Sequence, residues 1–192
     1  MNQNFSTMYF TRCPNHKKRE SGCQIMKADR TGSTYGEPIA VEIKTIDSLD
    51  VVGHPTLSSD ELKLIFASER RNGIGGKDLW ISERESKSEE FGRPRNLSAI
   101  VNTEGDELYP FMRNDSTLYF ASDGHGGMGG LDIFVTTLDS LGEWTTPVNL
   151  KSPINSIGND YGITFHPNEE RGFFISNRDV RNGLDDDIYY FI

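Results

Sequence analysis

Leu118-Tyr119-Phe120-Ala121-Ser122-Asp123-Gly124-His125-Gly126-Gly127-Met128-Gly129-Gly130-Leu131-Asp132-Ile133-Phe134 is the stretch that decides the fold. An apolar strand ends in Phe-Ala-Ser, a glycine-rich turn follows, and a second apolar strand begins at an aspartate. The same order recurs. Phe66-Ala67-Ser68 leads to Asp78-Leu79-Trp80, and Phe174-Ile175-Ser176 leads to Asp187-Ile188-Tyr189. Phe66, Phe120 and Phe174 succeed one another at intervals of 54 residues. A weaker copy, Phe10-Thr11-Arg12, lies 56 residues before Phe66 and runs on to Gln24-Ile25-Met26. A period near fifty with several short strands per unit marks a radial β array. One such unit cannot bury both of its faces, so the pattern predicts sheets that stack on one another.

The third copy gives the plan of a unit. Leu108 to Met112 reads as a first strand, Asn114-Asp115-Ser116 as a turn, and Thr117 to Ser122 as a second strand with Leu118 and Phe120 on one face. Leu131 to Leu138 is a third strand. Trp144 to Leu150 is a short outer strand in which Pro147 is tolerated because the strand is an edge. The second copy follows as His54 to Leu57, Leu62 to Ser68, Asp78 to Glu83 and Phe91 to Leu97. An outer-strand signature, Tyr35-x-x-Pro38, Phe91-x-x-Pro94 and Trp144-x-x-Pro147, keeps register, with its aromatic expected to pack between units. Four antiparallel strands make one propeller blade. The expectation is an all-β chain of four propeller blades, bounded near 1–46, 47–101, 102–154 and 155–192, the first and last incomplete and the whole a part of a longer propeller. The predicted core holds Leu64, Phe66, Trp80, Leu118, Phe120, Ile133, Phe134 and either Phe173 or Phe174.

Composition excludes several classes of function. The formal net charge of −9 and a pI near 4.9 oppose nucleic-acid binding, which needs clustered Lys and Arg, and disfavour anionic lipid. No apolar run reaches the roughly 20 residues of a membrane span, and Met1 to Cys13 carries no signal-peptide pattern. Cys13 and Cys23 flank a short loop rich in Lys, Arg and Glu, on the two sides of the first repeat's central turn. Opposed hairpin positions can meet disulfide geometry, which implies an oxidising compartment; two reduced thiols are the other reading. With only His16 nearby, a zinc site lacks ligands.

The chemistry-bearing residues mostly follow the repeat. Gly124-His-Gly-Gly-Met-Gly matches G-x-G-x-x-G, but a strand follows it where a dinucleotide site needs a helix. Its glycines are expected to serve a long turn with positive φ. Asp78, Asp132 and Asp187 occupy matching positions and are read as turn aspartates that accept backbone N–H bonds. Asp185-Asp186-Asp187 and Asp123/Asp132 lack the spacing of a calcium loop and read as solvated turns. Glu107 and Asp160 stand at equivalent starts of inner strands, where they either face a central channel and bind a cation or basic peptide or cap the blade junction. No serine or cysteine has a nucleophile context such as G-x-S-x-G. Neither a catalytic residue, a metal nor a cofactor is expected.

Phe-Ala-Ser, the glycine-rich loop, Gly129-Gly130-Leu131-Asp132-Ile133-Phe134, Trp144-x-x-Pro147-Val148-Asn149-Leu150 and Pro153-Ile154-Asn155-Ser156 resemble the WD40-like Pro-Asp propeller repeats of Bacteroidota OmpA-like outer-membrane lipoproteins. The likeness is strongest to the propeller of proteins that join tetratricopeptide repeats, a propeller, a carboxypeptidase-regulatory-like domain and an OmpA-like domain, some of which serve type IX secretion. Tyr9 to Cys23 resembles a cysteine-bearing blade of that family, and Asn177-Arg178 with Asp186 to Tyr189 its final blade. Lipobox, tetratricopeptide helices and peptidoglycan motif are not in this sequence, so peptidoglycan binding would belong to a domain outside it. The resemblance implies a non-catalytic scaffold for envelope proteins at the periplasmic face of the outer membrane. The competing readings are a carbohydrate- or peptide-binding sensor and the propeller of a hydrolase. The loops 70–77, 123–130 and 178–186 vary while their flanking strands agree, which points to Arg70, Arg71, His125, Arg178 and Arg181 as a partner-binding rim. Glu107 and Asp160 are the channel alternative.

Overall fold

The computed structural model describes residues 5–14, 22–46, 50–179 and 185–192. His16 and Arg181 lie outside the described residues, as does much of the loop 178–186. Fifteen strands, β1 to β15, and no helix occur among the described residues. They form four antiparallel sheets arranged as propeller blades.

Blade 2 contains β5 (Val52–Leu57), β6 (Lys63–Ser68), β7 (Asp78–Glu83) and β8 (Arg95–Asn96), hydrogen-bonded in that order. Blade 3 repeats it with β9 (Glu107–Met112), β10 (Thr117–Ser122), β11 (Asp132–Thr137) and β12 (Val148–Asn149). Blade 4 has β13 (Asp160–Phe165), β14 (Gly172–Ser176) and β15 (Asp187–Phe191). In blade 1, β1 (Thr7–Arg12) pairs with β2 (Gln24–Thr31), which also pairs with β3 (Thr34–Tyr35) at its far end and β4 (Ile39–Ala40) beside its middle. Register is conserved between blades: Ser68 faces Asp78, Ser122 faces Asp132, and Ser176 faces Asp187.

Outer strands are shorter than their sequence pattern predicts. Pro94 and Pro147 have no N–H, so the ladder contracts to two residues at Arg95–Asn96 and Val148–Asn149. The aromatics before them make single bridges instead, Ile43 with Phe91 and Leu138 with Trp144.

Alternation on the central strands builds the core between blades. Ile65, Ala67, Leu79 and Ile81 of blade 2 pack with Leu118, Phe120 and Phe134 of blade 3. Ile25 of blade 1 packs with Leu64, Phe66, Trp80 and Phe91. Ile133 of blade 3 packs with Ile163 and Phe174 of blade 4. Every predicted core residue is buried; of the pair Phe173/Phe174, Phe174 is buried and Phe173 is 49% exposed. The reason is period two: Phe174 points to blade 3, and Phe173 to the other face.

Each inner strand carries a bulge at one matching position. Register shifts follow Gly53 in β5 and Tyr161 in β13, and β9 is irregular between Leu108 and Phe111. His54, Tyr109 and Gly162 adopt φ of 52°, 51° and 63° there. Left-handed backbone costs nothing for glycine but strains His and Tyr, and bulges bend a strand. The bend brings the three inner strands side by side around the axis, β5 against β9 and β9 against β13.

Candidate functional site

The glycine-loop rim is an interlocked surface. Asp78 is buried and accepts N–H bonds from Ile74 (2.5 Å) and Gly75 (3.2 Å), with the Asn96 amide at 2.8 Å. Asp132, equally buried, accepts from Met128 (2.5 Å) and Gly129 (3.1 Å). Its Oδ1 has no partner among the described residues, because both N–H groups bond Oδ2, whereas in blade 2 Gly75 N–H bonds Oδ1 of Asp78. Asp187 differs: it is exposed at the start of β15.

The glycines of this loop are there for a reason other than the expected positive φ; none between 124 and 130 adopts it. They allow one blade to touch the next. A Cβ on Gly129 would stand 2.1 Å from Gly158 O, and one on Gly130 2.2 Å from Asn159 Oδ1. The same holds one blade earlier for Gly75 and Gly76 against Thr103 O and Asp106 Oδ1, both at 2.2 Å. Through this contact Lys77 N–H donates to Asp106 Oδ1 (2.7 Å) and Asp106 N–H to Asp123 Oδ1 (2.8 Å). In the next pair Leu131 N–H donates to Asn159 Oδ1 (2.9 Å) and Asn159 N–H to Asn177 Oδ1 (2.7 Å). Asp123 is therefore part of a backbone relay.

Buried asparagines complete the lock and were missed in the sequence. Asn102 brackets Leu79, accepting its N–H at 2.8 Å and donating to its C=O at 3.0 Å; Asn155 does the same to Ile133 at 2.8 Å on both sides. Their spacing of 53 residues, each six after Asn96 or Asn149, was the available signal.

Three residues expected to contact partners are held inside this rim. Arg70 donates to Thr45 O (3.2 Å), pairs with Asp50 (3.4 Å) and lies over Trp80. His125 Nε2 is 2.8 Å from Val101 O, with its ring against Phe134 and Phe120. Arg178 donates to Pro153 O (2.7 Å), Ile154 O, Ser176 Oγ (2.8 Å) and Asp160 Oδ1 (2.6 Å), over Phe174 and Tyr189. Each follows the serine of its blade by two or three residues, and each reaches a carbonyl of the linker entering that blade. The physical reason is repetition: the pocket between linker and third-strand aromatic recurs and needs a donor. Arg71 alone of the described set is exposed.

Glu107 and Asp160 take the capping alternative. Glu107 is fully buried and accepts from Thr103 N–H (2.9 Å), Thr103 Oγ1 (2.6 Å) and Ser122 Oγ (2.7 Å). Asp160, also fully buried, accepts from Ser156 N–H (2.6 Å), Ser156 Oγ (2.9 Å) and Arg178. Neither carboxylate is exposed to solvent.

The axis is filled by rings. His54 stacks on Tyr109 at 4.0 Å, and Tyr109 on Tyr161 at 4.6 Å. Tyr109 N–H donates to His54 Nδ1 at 3.3 Å, which fixes Nδ1 as the acceptor. Burial, with Lys77 adding to it, holds the His54 pKa below the ordinary histidine range. Burial and a hydrogen bond with Asp186 raise the Tyr161 pKa well above that of a free tyrosine.

The opposite rim is open. The far ends of the inner strands enclose a groove of about 840 Å³ lined by Pro55, Pro110, Phe111, Phe165, Pro167 and Asn168, among others. Two cross-blade ties frame it: Ser59 N–H to Asp115 (2.6 Å) and a two-pronged Arg113–Glu170 pair (both 2.7 Å), with Arg113 over Phe165 at 4.2 Å. Arg113 holds the Glu170 carboxyl below its usual range. Pro55 and Pro110 hold matching positions in β5 and β9, but the ring of Phe111 stands where β5 has Thr56, and that of Phe165 where the earlier blades have Leu57 and Met112. Sequence reading passed over it because each part looks like an ordinary hairpin end. Among the described residues no three His, Cys, Asp or Glu side chains converge as metal ligands.

The disulfide is formed. Cys13 and Cys23 are bonded, with Cα atoms 4.1 Å apart, across the β1–β2 hairpin.

No protein family matches the sequence, and no curated protein does. Solved structures resemble the fold. A puromycin-hydrolyzing peptidase of Mycobacterium tuberculosis superposes with a TM-score of 0.54 at 14% identity, over 98% of this chain and 26% of its own. Prolyl oligopeptidase B from Galerina marginata gives 0.54 at 16% identity, over 99% and 25%. A thermostable family-43 glycoside hydrolase gives 0.57 at 13% identity, over 96% and 66%. The chain thus spans about a quarter of the two peptidases. At these identities the likeness is one of fold, a β-propeller.

Proposed function

We propose that this chain is a non-catalytic β-propeller scaffold that holds protein partners in a bacterial envelope assembly, at the periplasmic face of the outer membrane, in the manner of the OmpA-like lipoproteins its repeats resemble, type IX secretion included. The observation that carries the reading is the contrast between rims. On the glycine rim the recurring polar side chains of the described residues, Asp78, Asp106, Asn102, Asn155 and Asn159, are spent in bonds to turns, strands and neighbouring blades. On the opposite rim a groove lined by Pro55, Pro110, Phe111, Phe165 and Pro167 is open, and its aromatic rings, Phe111 and Phe165, differ from blade to blade. Its lining mixes apolar side chains with polar ones such as Ser59, Arg113, Asn114 and His166, a balance that suits a protein segment. The Cys13–Cys23 bond supports an oxidising compartment.

The partner surface is therefore assigned to the groove, in place of Arg70, His125 and Arg178. Phe111→Ala with Asn168→Ala should leave the fold intact and reduce recovery of envelope partners in a crosslinking pull-down. Arg71→Ala, on the glycine rim, should leave recovery unchanged. The reverse pattern would return the surface to the glycine rim. The hydrolase-like neighbours supply the second reading, a propeller belonging to a hydrolase. Turnover of a peptide or glycan by the purified chain, abolished by a substitution in the groove, would favour it and end the scaffold reading.

A further inference from the structure

One wall of the groove hangs on a bond that a proton can break. Between Leu108 and Phe111, β9 leaves its ladder with β10, so the sheet does not hold Tyr109 and Pro110. Two bonds to blade 2 bracket them instead. Tyr109 N–H donates to His54 Nδ1 at 3.3 Å, and Met112 N–H donates to Thr56 Oγ1 at 3.0 Å. Pro110 and Phe111 lie between these two ties and line the groove, as does Pro55, the residue after His54. Phe111 in turn stacks on Phe165 of blade 4, with ring centroids 6.0 Å apart. His54, Thr56, Tyr109 and Met112 all belong to blades 2 and 3, each of which has a blade on both sides.

Of the two ties, only the histidine changes its bonding near neutral pH. In the neutral ring Nδ1 accepts; in the imidazolium both nitrogens carry hydrogen, and Nδ1–H would face Tyr109 N–H. Backbone strain works in the same direction. His54 and Tyr109 hold φ of 52° and 51° at the position where blade 4 has Gly162. A residue as bulky as tyrosine is strained there, so losing the bond lets Tyr109 relax and carries Pro110 and Phe111 with it. The groups around His54 do not favour an imidazolium. Lys77, ahead of β7, faces it and is itself 3.6 Å from Asp106, ahead of β9. From β9 comes the Tyr109 ring, from β13 Tyr161 beyond it with Asp186, and from β1 Thr11, whose Oγ1 takes His54 N–H at 2.8 Å. Among the described residues no carboxylate bonds the imidazole. Burial and Lys77 keep the ring neutral at pH 7, so the proton enters only below the ordinary histidine value of about 6.5.

We propose that His54 is a proton-operated latch on the groove: a proton taken from solvent at Nδ1 breaks the bond from Tyr109 N–H, Pro110 and Phe111 swing on the Met112 tie, and the groove releases in mild acid the protein segment it holds at neutral pH. The latch deepens the scaffold reading and rests on it for the identity of the groove as the partner surface. The two discrete arrangements are the bonded and unbonded states of Tyr109, and the proton biases one against the other.

The test is an NMR titration of the intact chain from pH 8 to pH 5. It is run in a His166→Gln background, because His166 also lines the groove. The Phe111 ring signals should move in one transition that follows the His54 ring protons, and the Tyr109 amide should lose about tenfold or more of its exchange protection, corrected for the intrinsic effect of pH. His54→Asn keeps an acceptor close to where Nδ1 stands and tolerates positive φ, so its Phe111 signals should hold the neutral position throughout. His54→Phe keeps a ring and removes the acceptor, so it should show the acid position already at pH 8. Phe111 signals that do not follow His54, or a transition that persists in His54→Asn, overturn the latch. Partner recovery by crosslinking pull-down should fall at pH 5 and be retained there by His54→Asn; equal recovery at both pH values in the parent chain overturns the release. A lack of recovered partners at pH 8 counts against the scaffold reading alone, while the latch stands or falls by the ring signals.

Discussion

The two rims of the propeller are built from the same inner strands and differ in what their polar groups do. On the glycine rim, repeated residues meet repeated residues: Gly129 and Gly130 lie on Gly158 and Asn159, as Gly75 and Gly76 lie on Thr103 and Asp106. On the groove rim the ties are individual, Ser59 with Asp115 and Arg113 with Glu170. Repetition at an interface serves assembly of the array, because every junction poses one packing problem. Individuality serves recognition. The lesson is that loop variation with constant strands does not by itself mark a binding surface; Arg70 and Arg178 solve one structural problem with a guanidinium and His125 solves it with an imidazole.

The contrast can be broken most severely at Arg178. Asp160 is fully buried beside it, and removing one partner of a buried pair costs about 3–5 kcal/mol. Arg178→Ala should therefore lower the melting temperature by several degrees, and a shift under a degree would show that the rim is not held by these locks. Reduction of Cys13–Cys23 comes next. The loop it closes is short, and the chain-entropy relation gives about 2–3 kcal/mol; melting with and without reductant measures it. Gly129→Ala forces Gly158 O aside, an overpacking of about 1–3 kcal/mol, and denaturant titration should separate it from Gly126→Ala, where nothing lies in the way.

A smaller effect tests the axis. The His54 pKa is lowered in the fold, so the unfolded chain binds the extra proton first. The stability contributed by neutral His54 is complete above its ordinary pKa of about 6.5 and is lost as pH falls from there through the lowered folded value. Melting curves between pH 8 and pH 5 should show this loss, and His54→Gln should flatten it. Glu170 and Asp60 have lowered pKa values too, but their losses begin only as pH falls into the ordinary carboxylate range and continue below it, so the windows are distinct. Asn168→Ala, exposed on the groove rim, should change stability by less than about 0.5 kcal/mol while weakening partner recovery.

Much of this was legible in the residues. The 54-residue interval placed every central strand, because period-two burial forces Leu64 and Phe66, or Leu118 and Phe120, onto one face. The matching position of Asp78 and Asp132 pointed to the turn in which each accepts backbone N–H bonds. Less legible was the reason for the glycines. Turn glycine and close-approach glycine look alike in a sequence, and only the neighbouring blade, some 30 residues away in the chain, distinguishes them. Asn102 and Asn155 escaped notice because a buried asparagine that brackets a distant backbone has the same letter as a loop asparagine.

By itself the sequence determined the array: strand order, register, blade count and the faces that meet. Those follow from local alternation and from repetition, which act within a few residues or at a fixed interval. Tertiary structure alone decided which charges are free. Arg178 and Arg71 are equivalent as letters, yet one lies against a buried carboxylate and two aromatic rings while the other is in water. Whether a cation is a binding group or a lock depends on what the next blade brings within 3 Å of it, and that distance exists only once the blades have packed.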